Sequence, residues 1–133
     1  MIQRGSQSIV IYRYNRRMTI MTPVEQRNAA VSLFHSLADP TRLAIVQHLA
    51  AGESRVRDLV LELGLAQSTV SEHVACLRDC GLVDGRTEGR QTFYFLARPE
   101  LMDVLEAAEV LLAATGYQVD LCSVYGTKAR EKR

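Results

Sequence analysis

Three glycines and one Asp-Pro step cut residues 39–81 into short helical segments, and this punctuation constrains the fold more than any other feature. A residue before proline is pushed away from helical geometry, so Asp39-Pro40 ends one helix and leaves Asp39 free to cap the next. That next helix spans Thr41 to about Ala51, carries Leu43, Ile45, Val46 and Leu49, and stops at Gly52. A shorter one runs from about Arg55 to Leu63 and ends at Gly64. Another begins near Gln67 and reaches Cys80, with Gly81 placed as its left-handed stop. Two short helices meeting at Gly64-Leu65-Ala66 make a helix-turn-helix candidate.

The flanks complete the pattern. Thr22-Pro23 with Glu25 reads as a capped helix start, followed by the apolar face Val31, Phe34, Leu37 and Ala38. The stretch LVDGRTEGRQTFYFL alternates and is aromatic in its second half, so it predicts a β-hairpin with Arg86 and Arg90 at a basic tip. A last helix, Pro99 to Thr115, spaces Leu101, Val104, Leu105, Ala108, Leu111 and Leu112 at helical intervals and closes at Gly116. The expected fold is mainly α with a β-hairpin wing, in the order α-α-α-α-β-β-α: a winged helix-turn-helix. Residues 1–21 read as a basic, poorly ordered extension with four arginines and no acids, 22–116 as the domain, and 117–133 as a tail carrying Cys122.

At 133 residues and 47% hydrophobic, the chain suits one compact core. Sixteen basic residues against fifteen acidic ones do not announce a nucleic-acid partner, so that inference rests on local arrangement. The apolar runs are too short to cross a bilayer. No small-residue cleavage site follows SIVIY, and three cysteines cannot close a disulfide framework. The expectation is a cytoplasmic protein with reduced thiols and no membrane association.

In AQSTVSEHVACLRDC, Val70, Val74 and Leu77 form the inward stripe, while Gln67, Ser68, Ser71 and Arg78 point away from it. Small polar side chains at a helix N-terminus suit close approach to the major groove, and Gln67 offers both donor and acceptor to an adenine edge. With a hairpin following at once, the reading favours double-stranded DNA as partner. Cys76 and Cys80 lie one turn apart on one side of the same helix, in line with Thr69 and His73. Three readings stay open for the pair: a thiophilic metal site, a redox sensor, and plain packing.

The strings LFHSLADPTRLAIVQHL, DLVLELGLAQSTVSEHVACLRDCGLV and EGRQTFYFL resemble the ArsR/SmtB family of bacterial metal-responsive repressors, over roughly residues 24 to 115. The resemblance implies a homodimer paired through its first and last helices, bound to an inverted-repeat operator and released by metal. It also implies DNA contacts from Gln67, Ser68, Ser71 and His73 in the reading helix and from Arg86 and Arg90 in the wing. One departure is Ala66, where the family often has serine, which removes a side-chain N-cap worth about 1 kcal/mol. A family site with the string ELCVCDL is absent: this chain reads ESRVRDL, and Arg55 and Arg57 are expected at phosphates instead. The last helix has Asp103, Glu106 and Glu109 but no histidine, which argues against a zinc or nickel site there and leaves a solvated acidic face. Cys76 and Cys80 with downstream Cys122 resemble the cadmium- and lead-sensing, CmtR-like subgroup. That implies Cd(II) or Pb(II) as inducer, with As(III) a further candidate and no organic cofactor. The alternative is a thiol-redox-responsive repressor with the same DNA-binding half. An enzyme using Cys76 with His73 is not expected, for want of an oxyanion-forming loop. A module that only binds other proteins would lack salt-dependent DNA affinity.

Overall fold

The computed structural model describes residues 20–122, so the sequence expectations for 1–19 and for the tail beyond Cys122 fall outside the described residues. The chain divides into two units, residues 1–31 and 32–133. In the first, Thr22 and Glu25 form the expected capping box: the Thr22 N–H donates to Glu25 Oε2 at 2.7 Å and the Glu25 N–H to Thr22 Oγ1 at 3.2 Å. They open α1 (Pro23–Leu37), whose C-terminal end lies in the second unit.

The second unit continues with α2 (Pro40–Ala51), α3 (Val56–Leu63), α4 (Gln67–Asp79), β1 (Val83–Glu88), β2 (Gln91–Leu96) and α5 (Glu100–Ala114). Its order matches the expected winged helix-turn-helix, with boundaries shifted by a residue or so. Asp39 caps α2, accepting from the Arg42 N–H at 2.9 Å. Gly64, at φ 66°, makes the turn between α3 and α4 in a left-handed conformation that side chains resist. Gly81, at φ 75°, does the same after α4, where Cys80 is the C-cap residue rather than the last helical one.

The core gathers one face of each helix. Ile45, Val46, Leu59, Val70, Val74, Leu77, Val83, Leu101 and Leu105 are buried together, so the 70/74/77 stripe seats α4 as its spacing predicts. Each such side chain contributes about 1.5–3 kcal/mol through removal of apolar area from water. The apolar face of α1 is divided: Leu37 is buried, whereas Val31 is 59% and Phe34 62% exposed. On α5, Leu111 is likewise exposed, against the inward spacing of Leu101 and Leu105.

The wing is antiparallel, with Arg86 opposite Phe93 and Glu88 opposite Gln91, leaving Gly89 and Arg90 at the tip. One further bridge widens it: Ser54, between α2 and α3, exchanges backbone hydrogen bonds with Tyr94 at 3.0 and 2.8 Å.

Candidate functional site

Helix α4 presents its N-terminal turn outward. Gln67, Ser68 and Ser71 are all exposed, as a DNA-reading face requires. The N-cap, Ala66, supplies no side-chain acceptor, so the first-turn N–H groups of α4 have no cap of their own. Such groups, at the positive end of the helix dipole, are complementary to a phosphate oxygen.

His73 is half-buried, with Nδ1 3.4 Å from Arg42 Nη1 and 3.9 Å from Asp39 Oδ1. Arg42 in turn donates Nε to the Ser36 carbonyl at 2.5 Å and Nη2 to the His35 carbonyl at 2.9 Å, closing the C-terminal end of α1. His73 therefore touches the corner between α1 and α2. The proline-bearing ADPTRL string holds this corner, and its link to His73 spans 31 residues, beyond the reach of local spacing rules.

The two wing arginines differ. Arg86 donates Nε to Glu53 at 2.9 and 3.2 Å, pairs Nη2 with the same carboxylate, donates Nη1 to Glu88 at 2.8 Å, and lies 4.8 Å from the centroid of the Phe93 ring. Hydrogen bonds to Glu53 and then Glu88 raise its pKa, and the same guanidinium lowers that of Glu53. Arg90 is exposed, and its side chain makes no hydrogen bond or ion pair among the described residues.

Arg55 and Arg57 also part ways. Arg55 Nε and Nη2 both donate to Asp58 at 3.0 Å, and the Arg55 N–H donates to the same carboxylate at 3.0 Å, at the start of α3. Hydrogen bonds from the Arg55 side chain and backbone bring the Asp58 pKa from 3.8 to about 2. Arg55 is thus engaged in holding α3, an engagement the phosphate expectation did not include, while Arg57 is exposed.

The thiols are spread out. Cys76 is half-buried on α4, Cys80 exposed at its end, and Cys122 half-buried near α5, its Sγ 3.9 Å from the Met102 carbonyl. The tail is pinned there because Glu109 Oε1 accepts the Leu121 and Cys122 N–H groups at 2.7 and 2.8 Å, and Gln47 donates to the Leu121 carbonyl at 3.2 Å. Burial first, then the Glu109 carboxylate, pushes the Cys122 thiol up to about 11. Among the described residues, no three His, Cys, Asp or Glu side chains gather where they could hold one metal ion. Cys76 lies on α4 and Cys80 at its C-cap, and among the described residues Cys122 does not join them in a three-ligand group. Glu109, expected on a solvated face, is a tail anchor that only the fold reveals.

Residues 39–84 match the family model described as "Bacterial regulatory protein, arsR family". A probable mercury resistance operon repressor of Streptomyces lividans is 33% identical over 79% of this chain and 84% of its own length. The transcriptional regulator CmtR of Mycobacterium tuberculosis is 44% identical over 70% of this chain and 80% of its own. Among solved structures, the homodimeric winged helix-turn-helix DNA-binding domain of Mb0332 from Mycobacterium bovis superposes with a TM-score of 0.65. It covers 75% of this chain and 94% of that one, at 24% identity.

Proposed function

Because the chain belongs to the arsR family of bacterial regulatory proteins, we propose that it represses transcription as a homodimer on an inverted-repeat operator and releases the DNA when a thiophilic metal ion engages its cysteines. The observation that carries the metal half is the flank of α4: Cys76 and Cys80 lie one turn apart beside the buried 70/74/77 stripe, C-terminal to the exposed reading turn. Thiolates held there pull on the helix without covering Gln67, Ser68 or Ser71. The named relatives include a probable mercury resistance operon repressor, which fits a soft cation.

Cys122 enters this reading as the third sulfur, supplied by the second protomer. Its own α4 thiols form no three-residue cluster with it, and an intersubunit ligand set makes occupancy report on dimer geometry. Pb(II) and As(III) accept three sulfurs without a fourth ligand, whereas Cd(II) recruits another donor. The Cys122 thiol is protonated at neutral pH, so its use as a ligand releases a proton and apparent metal affinity rises with pH. Linkage requires the operator to weaken metal binding by the factor by which metal weakens operator binding.

The dimer reading pairs α1 with α5. Val31 and Phe34 on the first, and Val110 and Leu111 on the last, are each more than half exposed in the single chain. Exposed apolar side chains on a helix of a monomer have no partner, and the Mb0332 domain is described as homodimeric.

The test is fluorescence anisotropy of a labelled operator duplex, titrated with Cd(II), Pb(II), As(III) and Zn(II). Ultraviolet thiolate charge-transfer absorption is followed in parallel. Cys76→Ser and Cys80→Ser are expected to bind the duplex as the wild type does and to resist release. Normal metal-driven release from both variants sinks the model, and release by oxidant alone supports the redox alternative.

A further inference from the structure

Sequence groups the two wing arginines as DNA contacts, and the structure gives them different surroundings. We infer that Arg86 is a positioning residue that fixes the wing against the junction of α2 and α3, leaving Arg90 as the wing's cation for phosphate. This rests on the DNA-binding reading and refines it.

Three consecutive residues carry the argument. Glu53 takes the Arg86 guanidinium, Ser54 takes the Tyr94 backbone, and Arg55 reaches Gln91 at 3.2 Å. Arg86 and Arg55 both lie against the Phe93 ring, at 4.8 and 5.8 Å from its centroid. The aromatic face attracts each cation, and the carboxylates fix the direction in which each guanidinium points. All three nitrogens of Arg86 already donate to carboxylates.

Charge points the same way. Around the brace stand Arg55 and Arg86 with Glu53, Asp58 and Glu88, and Arg57 lies near enough to lower the Asp58 pKa, so cations and anions balance. The Arg86 charge is therefore already matched by carboxylates, and a phosphate would compete with two charge-assisted pairs for it. Arg90, by contrast, stands at the tip with no such partner among the described residues. The brace sets the angle at which that tip leaves the helix-turn-helix.

Glu53→Gln separates the two roles by sign. If Arg86 contacted DNA, removing its acidic partner would free it, and removing a negative charge would help besides. If Arg86 positions the wing, the same change loosens the brace and duplex affinity falls, on the order of tenfold, which is about 1.4 kcal/mol. The probe is a fluorescein-labelled duplex enriched from a random-sequence pool on the wild-type protein, titrated by anisotropy at several salt concentrations. Arg86→Gln is expected to weaken binding while keeping the slope of log K against log salt. Arg90→Gln is expected to flatten that slope by about 0.9 for each phosphate left without its cation.

Arg86→Lys keeps the charge but loses the planar fork, so it is expected to behave like Arg86→Gln; Lys supports a point contact to phosphate but not this geometry. Unchanged or higher affinity in Glu53→Gln, a flattened slope in Arg86→Gln, or wild-type binding by Arg86→Lys each overturns the assignment. Should Glu53→Gln fail to fold by circular dichroism, the Arg86→Lys and salt-slope results decide alone. A wild-type protein that enriches no duplex defeats the DNA-binding reading itself, which is a different outcome from any of these.

Discussion

The Cys122 thiol and the Asp58 carboxylate show how single neighbours set the chemistry of single groups. Cys122 is half-buried and held near 11 by burial and Glu109, whereas Cys80 is exposed. Since the thiolate is the nucleophile, metal-free protein at neutral pH is expected to alkylate with iodoacetamide first at Cys80, then at half-buried Cys76, and last at Cys122. Peptide mass mapping over time reads that order, and Cys122 labelling first would contradict the docked tail. Glu109→Gln is expected to speed labelling at Cys122, because it removes a negative charge beside the thiol. Asp58 follows the opposite sign. Its pKa falls from 3.8 to about 2, so the stability it contributes is present above 3.8 and is lost as pH drops through about 2. Acid denaturation midpoints are expected to show a loss across that window that Asp58→Asn lacks, with the variant already less stable at neutral pH. The pair is partly exposed, so the effect is modest and shrinks with added salt.

At the scale of elements, local signals were readable and long-range pairings were not. Asp39, Gly64 and Gly81 act through backbone geometry within a few residues, which is why the helix limits were legible before any coordinates. The 70/74/77 stripe was legible for a similar reason, since helical periodicity and burial report the same face. Leu77→Ala is therefore expected to cost about 2–5 kcal/mol in urea denaturation, as a fully buried leucine in the helix-turn-helix core. The uncapped start of α4 predicts a gain instead. Ala66 already has the extended backbone of an N-cap, at φ −63° and ψ 147°, so Ala66→Ser is expected to add about 1 kcal/mol of stability. An unchanged denaturation midpoint would show that the first-turn N–H groups are satisfied without it. The partner of Arg86, by contrast, lies 33 residues away in Glu53, and no period or turn rule connects them. Sequence placed that arginine at the wing correctly and could not see that carboxylates already held it.

For the whole molecule, the unsatisfied surfaces speak as clearly as the packed ones. The candidate metal site was only half legible: spacing alone joined Cys76 to Cys80, but where Cys122 sits depends on Glu109 and Gln47, which tail composition does not announce. In the proposed reading, the third sulfur and the exposed apolar side chains of α1 and α5 both fall to a second copy of the chain. Those two features can be separated by experiment. Phe34 is 62% and Leu111 67% exposed in the single chain, so Phe34→Glu and Leu111→Glu remove no core contact from it. Both are expected to leave the helical circular dichroism signal intact while shifting sedimentation from dimer to monomer. Operator affinity falls with them, because one protomer spans only one half-site of an inverted repeat. Metal charge-transfer absorption is the further readout. If Cys122 of the second protomer completes the site, monomeric variants lose the three-sulfur signature while Cys76 and Cys80 remain present. A monomer that keeps full thiolate absorption places all its sulfur ligands in one chain and requires the pinned tail to travel to α4.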